Sequence, residues 1–246
     1  MAIGILLAAG MGMRMRPLTE TTAKPLLKVG DTMLIETVIS ALENYGVTDI
    51  YIVTGYKADQ FATLTEKHQE VHLVHNPEYE TKNNLSSLYV AVDTLRGEDC
   101  FICEADLYIK KQNILSYATA KHAEDDHSAH VTTKRDRISG YFAKYHAGPT
   151  DDWCFDTDKT GRITRVGKSG MDTHMMVGLS YFNKNDSTVL ADAIIESYNT
   201  PGTENLFWDD VVNQNLDKLN LTIFPVGNDD LYEVDTPEEL QALTVI

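Results

Sequence analysis

The stretch that decides the fold is Leu6-Leu7-Ala8-Ala9-Gly10-Met11-Gly12-Met13-Arg14-Met15-Arg16-Pro17-Leu18-Thr19, followed by Lys24-Pro25-Leu26. It starts inside the apolar run Ile3–Ala8, which reads as a fully buried strand feeding a glycine turn. Two known phosphate loops fail against it. A P-loop needs Gly-Lys-Ser/Thr after four intervening residues, and that is absent. A dinucleotide fingerprint needs a third glycine where Met15 stands. The physics of the loop is still that of phosphate binding. Ala8, Ala9, Gly10 and Gly12 carry almost no side chain, so backbone N–H groups can come close to a triphosphate. Arg14 and Lys24 add fixed positive charge where an α-phosphate would be attacked. A tight turn with solvated basic residues would account for Gly-x-Gly alone, but not for the whole string through Lys24-Pro25.

Outward from this loop the chain alternates strand and helix. Leu34, Ile35, Val38, Ile39 and Leu42 recur at helical spacing, and Ile50–Thr54 reads as a second buried strand. Phe61 and Leu64 mark a helix, Val71–His75 a third strand, and Leu85, Leu88, Val92 and Leu95 a helical stripe capped by Asn83 or Asn84. Phe101–Ala105 is the next strand, ending at Asp106. This alternation implies a parallel sheet covered on both faces. After about residue 128 the pattern becomes β-rich. Short strands are expected at Ala129–Lys134, Tyr141–Tyr145, Trp153–Asp156, Ile163–Val166, Met175–Tyr181 and Leu221–Val226, with a hairpin turn at Asp158–Gly161. Helices are expected near Ser187–Tyr198 and Trp208–Leu216, and Thr236-Pro237-Glu238-Glu239 is a helix start. The expected organisation is one domain over 1–246, with a nucleotide-binding half at 1–127 and an acceptor-binding half at 128–246.

Composition narrows the function classes. The chain has 246 residues, enough to bury roughly 70–75% of its unfolded surface. Its 21 Lys and Arg against 37 Asp and Glu give a net charge of −16, which disfavours nucleic acid and anionic membrane surfaces as partners. In such a chain Arg14, Arg16 and Lys24 beside one glycine turn stand out. No run of 18 apolar residues is present, and the N-terminus lacks the basic region of a signal peptide, so a cytoplasmic location is expected. Three cysteines make no disulfide framework, and the odd spacing of Cys100 and Cys103 on a strand puts their thiols on opposite faces. The histidines at 122, 127 and 130 lie in an acidic, polar stretch and read as solvated rather than as a metal cluster.

The N-terminal string resembles the signature of nucleotidyltransferases that couple a nucleoside triphosphate to a phosphorylated small molecule and release pyrophosphate. Along nearly the whole chain the likeness is to the bacterial phosphocholine and 2-aminoethylphosphonate cytidylyltransferases. It is carried by Asn76-Pro77-Glu78-Tyr79, Asn83-Asn84-Leu85-Ser86-Ser87-Leu88-Tyr89, Glu104-Ala105-Asp106, Asp152-Trp153, Gly178-Leu179-Ser180-Tyr181, Phe207-Trp208-Asp209 and Tyr232-Glu233-Val234-Asp235. The resemblance implies a Rossmann-like, mostly parallel α/β sheet of the nucleotide-diphospho-sugar transferase type with a β-rich acceptor half. It implies that Leu7, Ala8, Ala9, Gly10 and Gly12 hold the triphosphate, and that Asn84, Ser86 and Ser87 read the base. Arg14, Lys24 and Asp106 are the implied catalytic residues. Mg2+ is the implied cofactor, held by Asp106 with Asp235 and Glu233, which share one face of an extended segment.

The implied partners are CTP and a small phosphonate or phosphate acceptor, with a homodimer left open. Trp153, Lys168, Tyr181, Trp208 and Asp209 are the acceptor-side candidates, Lys168 for the acceptor's phosphate or phosphonate. A quaternary ammonium favours aromatic faces, for which Trp153, Phe155, Tyr181, Trp208 and Tyr232 are available. A primary amine wants carboxylates, for which Asp151, Asp152, Asp156, Asp172 and Asp209 are available. Phe182, where phosphocholine enzymes tend to carry tryptophan, and the long stretch from Asp136 to Thr150 tilt the reading toward 2-aminoethylphosphonate. Phosphocholine is the alternative, and a hexose 1-phosphate the remoter one.

Overall fold

The first strand, β1 (Ile3–Ala8), is buried at every position and is the spine of the molecule in the computed structural model, which describes residues 2–119 and 137–244. The short hairpin β2 (Lys28–Val29) and β3 (Thr32–Met33) leads into helix α1 (Leu34–Tyr45). Then follow β4 (Ile50–Thr54), α2 (Ala62–Lys67), β5 (Val71–His75), α3 (Leu85–Val90), α4 (Val92–Leu95), β6 (Cys100–Glu104) and β7 (Leu107–Ile109). The second half contributes the long strands β8 (Ser139–Thr157) and β9 (Ile163–Phe182). After these come α5 (Lys184–Tyr198), α6 (Trp208–Gln214), β10 (Leu221–Pro225), β11 (Leu231–Glu233) and α7 (Pro237–Thr244).

One seven-stranded sheet runs through both halves in the order β10-β8-β9-β6-β1-β4-β5. Four of its pairings are parallel, and β9 runs antiparallel to both β6 and β8. The sheet separates two large apolar clusters. One holds Ile35, Val38, Leu42 and Phe61, and the other Leu88, Leu95, Leu190 and Ile194. Helices therefore cover both faces, as parallel strands require. The cysteine arithmetic is visible here, because Cys103 packs in the first cluster and Cys100 in the second.

The expected third strand, Val71–His75, is found at the sheet edge with only Val71 buried, because among the described residues β4 alone pairs with it. Two expectations change. The four short strands expected between 141 and 181 are two continuous ones. Residues 146–173 carry alternating exposed positions and backbone irregularities rather than an apolar run, so the pattern breaks where the pairing does not. The helical stripe from Leu85 to Leu95 is split at Ala91 into α3 and α4. The strand at Ala129–Lys134, the histidines at 122, 127 and 130, and the 127/128 boundary lie outside the described residues. No helix among the described residues is long and apolar enough to cross a membrane.

Candidate active site

At the carboxyl ends of β1 and β6, where open α/β sheets place ligands, a cleft of about 710 Å3 opens. Its first wall is the quoted loop: Leu7, Ala8, Gly10, Gly12, Met13 and Arg14 line it. Gly12 sits in the left-handed region with φ +57°, and a Cβ there would stand 3.0 Å from both Lys24 Cβ and Thr19 Cγ2. The Thr19 hydroxyl donates to the Gly12 carbonyl at 2.9 Å and pins the turn. Ala9 is buried and outside the lining, its carbonyl accepting from the Tyr56 N–H.

The charged centre joins residues far apart in sequence. Lys24, buried at the start of a short 3-10 turn, places Nζ 2.5 Å from Asp106 Oδ2 and 2.7 Å from Asp235 Oδ1. Burial works against its charge, but Asp106 and Asp235 outweigh that and hold the ammonium above its ordinary range. Arg14, largely exposed, reaches Asp235 Oδ1 at 2.8 Å. Asp106 stands two residues past the end of β6. Asp235 follows β11, which pairs antiparallel with β7, so the register Glu233↔Leu107 brings the two carboxylates to the same end.

This centre is acidic beyond those two groups. Glu104 also lines the cleft, and burial together with Asp106, Asp209 and Glu233 pushes its carboxyl well up. Glu233 is pushed up to about 7 by desolvation and by Asp106 and Asp235. For a residue as exposed as Glu233, the neighbouring charges are the firmer cause. Asp106 Oδ1 is buried and accepts no hydrogen bond. An orphaned carboxylate oxygen in a cleft wall suits a hard cation, and Mg2+ is commonly held by one or two carboxylates plus substrate phosphates. Asp106 and Asp235 therefore fit such an ion. The expected three-carboxylate set is narrowed: Asp106, Glu233 and Asp235 do not converge at ligand spacing among the described residues. Lys24 reaches Asp106 and Asp235 and does not reach Glu233.

The acceptor side combines aromatic rings with one deeply buried carboxyl. Trp153 on β8 and Phe207, which precedes α6, meet edge-on with centroids 5.4 Å apart. Lys168, paired with Trp153 across β8 and β9, stands 5.6 Å from the Trp153 ring and 5.3 Å from that of Phe207. Asp209, only 4% exposed, lines the same cleft and accepts from the Tyr141 hydroxyl at 3.1 Å. Burial, with the Asp210 charge adding to it, pushes its carboxyl up to about 7 against the pull of that hydrogen bond.

The structure thus brings Leu7, Ala8, Gly10, Gly12, Arg14, Lys24, Asn84, Asp106, Trp153, Lys168, Asp209, Glu233 and Asp235 to one cleft. It keeps four other side chains out of it. Tyr181 is fully buried against Phe101, because its place on β9 faces the core. Trp208 is buried and stacked on Tyr141, the α6 turn pointing Asp209 rather than Trp208 at the cleft. The Ser86 and Ser87 hydroxyls are buried and held by the Asn76 amide at 2.9 and 3.0 Å, so only Asn84 of that turn lines the cleft. Asn84 Oδ1 in turn accepts from the Trp208 N–H at 3.1 Å, tying the turn to α6. Sequence reasoning missed Glu104 and Phe207 as lining residues. Their signal was adjacency, two residues before Asp106 and Asp209 respectively.

A nucleotidyl transferase family profile matches residues 3–141. The 2-aminoethylphosphonate cytidylyltransferase of Lancefieldella rimae is 46% identical over 238 residues, covering 97% of this chain and 90% of the relative. The choline-phosphate cytidylyltransferase of Streptococcus pneumoniae is 30% identical over 245 residues, covering 98% and 96%. A solved CTP:phosphocholine cytidylyltransferase structure from Streptococcus pneumoniae superposes with a TM-score of 0.83 at 27% identity, covering 99% of this chain and 98% of that one. With the loop, the cation-bridged carboxylates and the sheet topology in place, these likenesses establish that the chain belongs to the nucleotidyl transferase family and is a nucleotidyltransferase enzyme.

Proposed function

We propose that the enzyme is a CTP-dependent cytidylyltransferase that transfers CMP to 2-aminoethylphosphonate and releases pyrophosphate. The observation that carries the acceptor is Asp209: a buried carboxyl on the cleft wall, hydrogen-bonded by a single hydroxyl. A primary ammonium would donate to it and hold it ionised. The 46% identity with a relative named for that reaction supports the same reading.

The residues divide the work as follows. The small-residue loop from Ala8 to Gly12 brings backbone N–H groups to the triphosphate. Lys24 and Arg14 place positive charge beside the α-phosphate, and the acceptor oxygen, already ionised at neutral pH, attacks the α-phosphorus in line. Asp106 and Asp235 would hold Mg2+, which when bound neutralises phosphate charge. Lys24, held between those two carboxylates on the cleft wall, presents its ammonium toward the phosphate. Lys168 supplies a cation for the phosphonate. No covalent enzyme intermediate is needed.

Phosphocholine is the second reading, favoured by the Trp153–Phe207 ring pair, which can face a quaternary ammonium. Lys168 already presents its ammonium to both rings, so choline would have to displace or tolerate a like charge there. The test is pyrophosphate release with four nucleoside triphosphates crossed against 2-aminoethylphosphonate, phosphocholine, phosphoethanolamine and glucose 1-phosphate, with Mg2+ present and then chelated. Turnover with CTP and the phosphonate, lost on chelation, is the expected result. Preference for phosphocholine would overturn the acceptor assignment, and turnover only with a sugar phosphate would overturn the cytidylyltransferase reading.

A further inference from the structure

At the other end of the sheet from the cleft, three side chains from separate elements converge on one point. Glu43 lies in the last turn of α1. His68 terminates α2, and Glu70 immediately precedes β5. His68 Nδ1 is 3.0 Å from Glu43 Oε1 and 3.3 Å from Glu70 Oε1. One ligand atom from each residue falls within 4.8 Å of the others, and no other such trio of His, Cys, Asp or Glu occurs among the described residues.

The geometry points to a divalent cation site of the zinc class, with Glu43, His68 and Glu70 as ligands and water completing the shell. Ligands about 2.1 Å from a tetrahedral zinc stand about 3.4 Å apart, and the two nitrogen–oxygen separations are close to that edge. An imidazole with two carboxylates is a borderline donor set, suited to zinc ahead of Mg2+ or Ca2+. The hydrogen-bond count points the same way. The imidazole Nδ1 is hydrogen-bonded to Glu43, and Glu70 Oε1 is left buried with no donor. A single Nδ1–H cannot serve two carboxylates, which face each other closely enough to push Glu43 up and Glu70 down; one cation in their midst would take the place of the proton they share and serve Nδ1 as well, with the buried Nε2–H left unpaired.

The backbone around the trio is fixed independently of any ion. His68 N–H donates to the Leu64 carbonyl, and the Glu70 carbonyl accepts from Ile50 at the start of β4. The ligands thus come preset on three elements. A cation there would clamp the end of α1 to the α2–β5 turn and the otherwise thinly paired edge strand. It stands at the amino ends of β4 and β5, a strand length of about 20 Å from the nucleotide cleft, so its role is structural.

The test is calorimetric titration of zinc chloride into the full chain after chelator treatment and dialysis, alongside Asp106→Asn, His68→Gln and Glu43→Gln. One equivalent of zinc is expected to bind both the unaltered chain and Asp106→Asn, and to bind His68→Gln and Glu43→Gln at least about tenfold more weakly. Zinc should raise the thermal midpoint of the unaltered chain and leave that of His68→Gln unmoved. The midpoints without metal show whether each variant is folded. Loss of zinc binding in Asp106→Asn alone would place the ion in the cleft and overturn the assignment, as would equal affinity in His68→Gln and Glu43→Gln or no zinc binding by the unaltered chain.

Discussion

Replacing Asp209 by Asn should stabilise the free enzyme above neutrality while weakening its hold on an amino acceptor. The carboxyl's value rises from an ordinary 3.8 in the unfolded chain to about 7 in the fold. Between those values the folded state keeps a proton that the unfolded chain has lost, so stability drains away as pH climbs through that window and the loss is complete above about pH 7. At about 1.36 kcal/mol per unit the full cost is about 4 kcal/mol, of which some 2–3 kcal/mol accrues between pH 5 and pH 8. Asn is isosteric, still accepts from Tyr141, and cannot ionise. Urea unfolding of both proteins at pH 5 and pH 8 should therefore show the variant's advantage widening by about 2–3 kcal/mol at the higher pH. The Asp209 charge also helps to push Glu104 up, so its removal acts in the same direction there. With 2-aminoethylphosphonate the sign reverses: losing a charge-assisted hydrogen bond of about 1.5–3 kcal/mol should raise the acceptor KM about 10–150-fold and leave the CTP KM unmoved. A stability difference that stays constant with pH, or that shrinks as pH rises, would refute the reasoning.

Asp106→Ala should cost at least about a hundredfold in kcat with the circular dichroism spectrum unchanged, because Lys24 keeps Asp235 as a partner; near-normal turnover would remove Asp106 from the charged centre. Lys24→Met should lower kcat about 10^2–10^3-fold, since a buried cation facing the phosphate is lost and two carboxylates are left without it; a change confined to the CTP KM would make Lys24 a binding residue only. Asn76→Ala should destabilise the fold by about 1–3 kcal/mol in urea, as the Ser86 and Ser87 hydroxyls lose the amide that joins them and Ser86 keeps only its bond to the Asn83 carbonyl; unchanged stability would mean that the Asn76 bridge contributes nothing to the fold.

Much of this architecture is legible in the residues because its signals are local. The run Ile3–Ala8 has no polar position, so it could only be a strand covered on both faces, and the glycine turn after it could only face outward toward a ligand. Helix α7 announces itself through Thr236 and Glu239, whose side chains bond each other's N–H groups. What escapes is fixed by distant partners. Val71–His75 has the composition of an inner strand, yet among the described residues only β4 pairs with it. Strands β8 and β9 hold together through each other over a stretch too polar to read as strand. Tyr181 and Asp209 were equal candidates by residue type. Pairing of β9 with β6 turns the tyrosine into the core, and the turn of α6 carries the aspartate into the cleft.

The charged centre shows why an acidic protein can handle a triphosphate. Lys24, Asp106 and Asp235 come from three separate parts of the chain, and no spacing rule links them. Two carboxylates would repel phosphate if left alone. Lys24 balances one negative charge, Arg14 a second, and the orphaned Asp106 oxygen leaves coordination for an added cation. Asp106 and Asp235 are therefore balanced before any nucleotide arrives. Acidity that argues against a nucleic-acid partner is, at this one loop, compatible with turnover of a nucleotide.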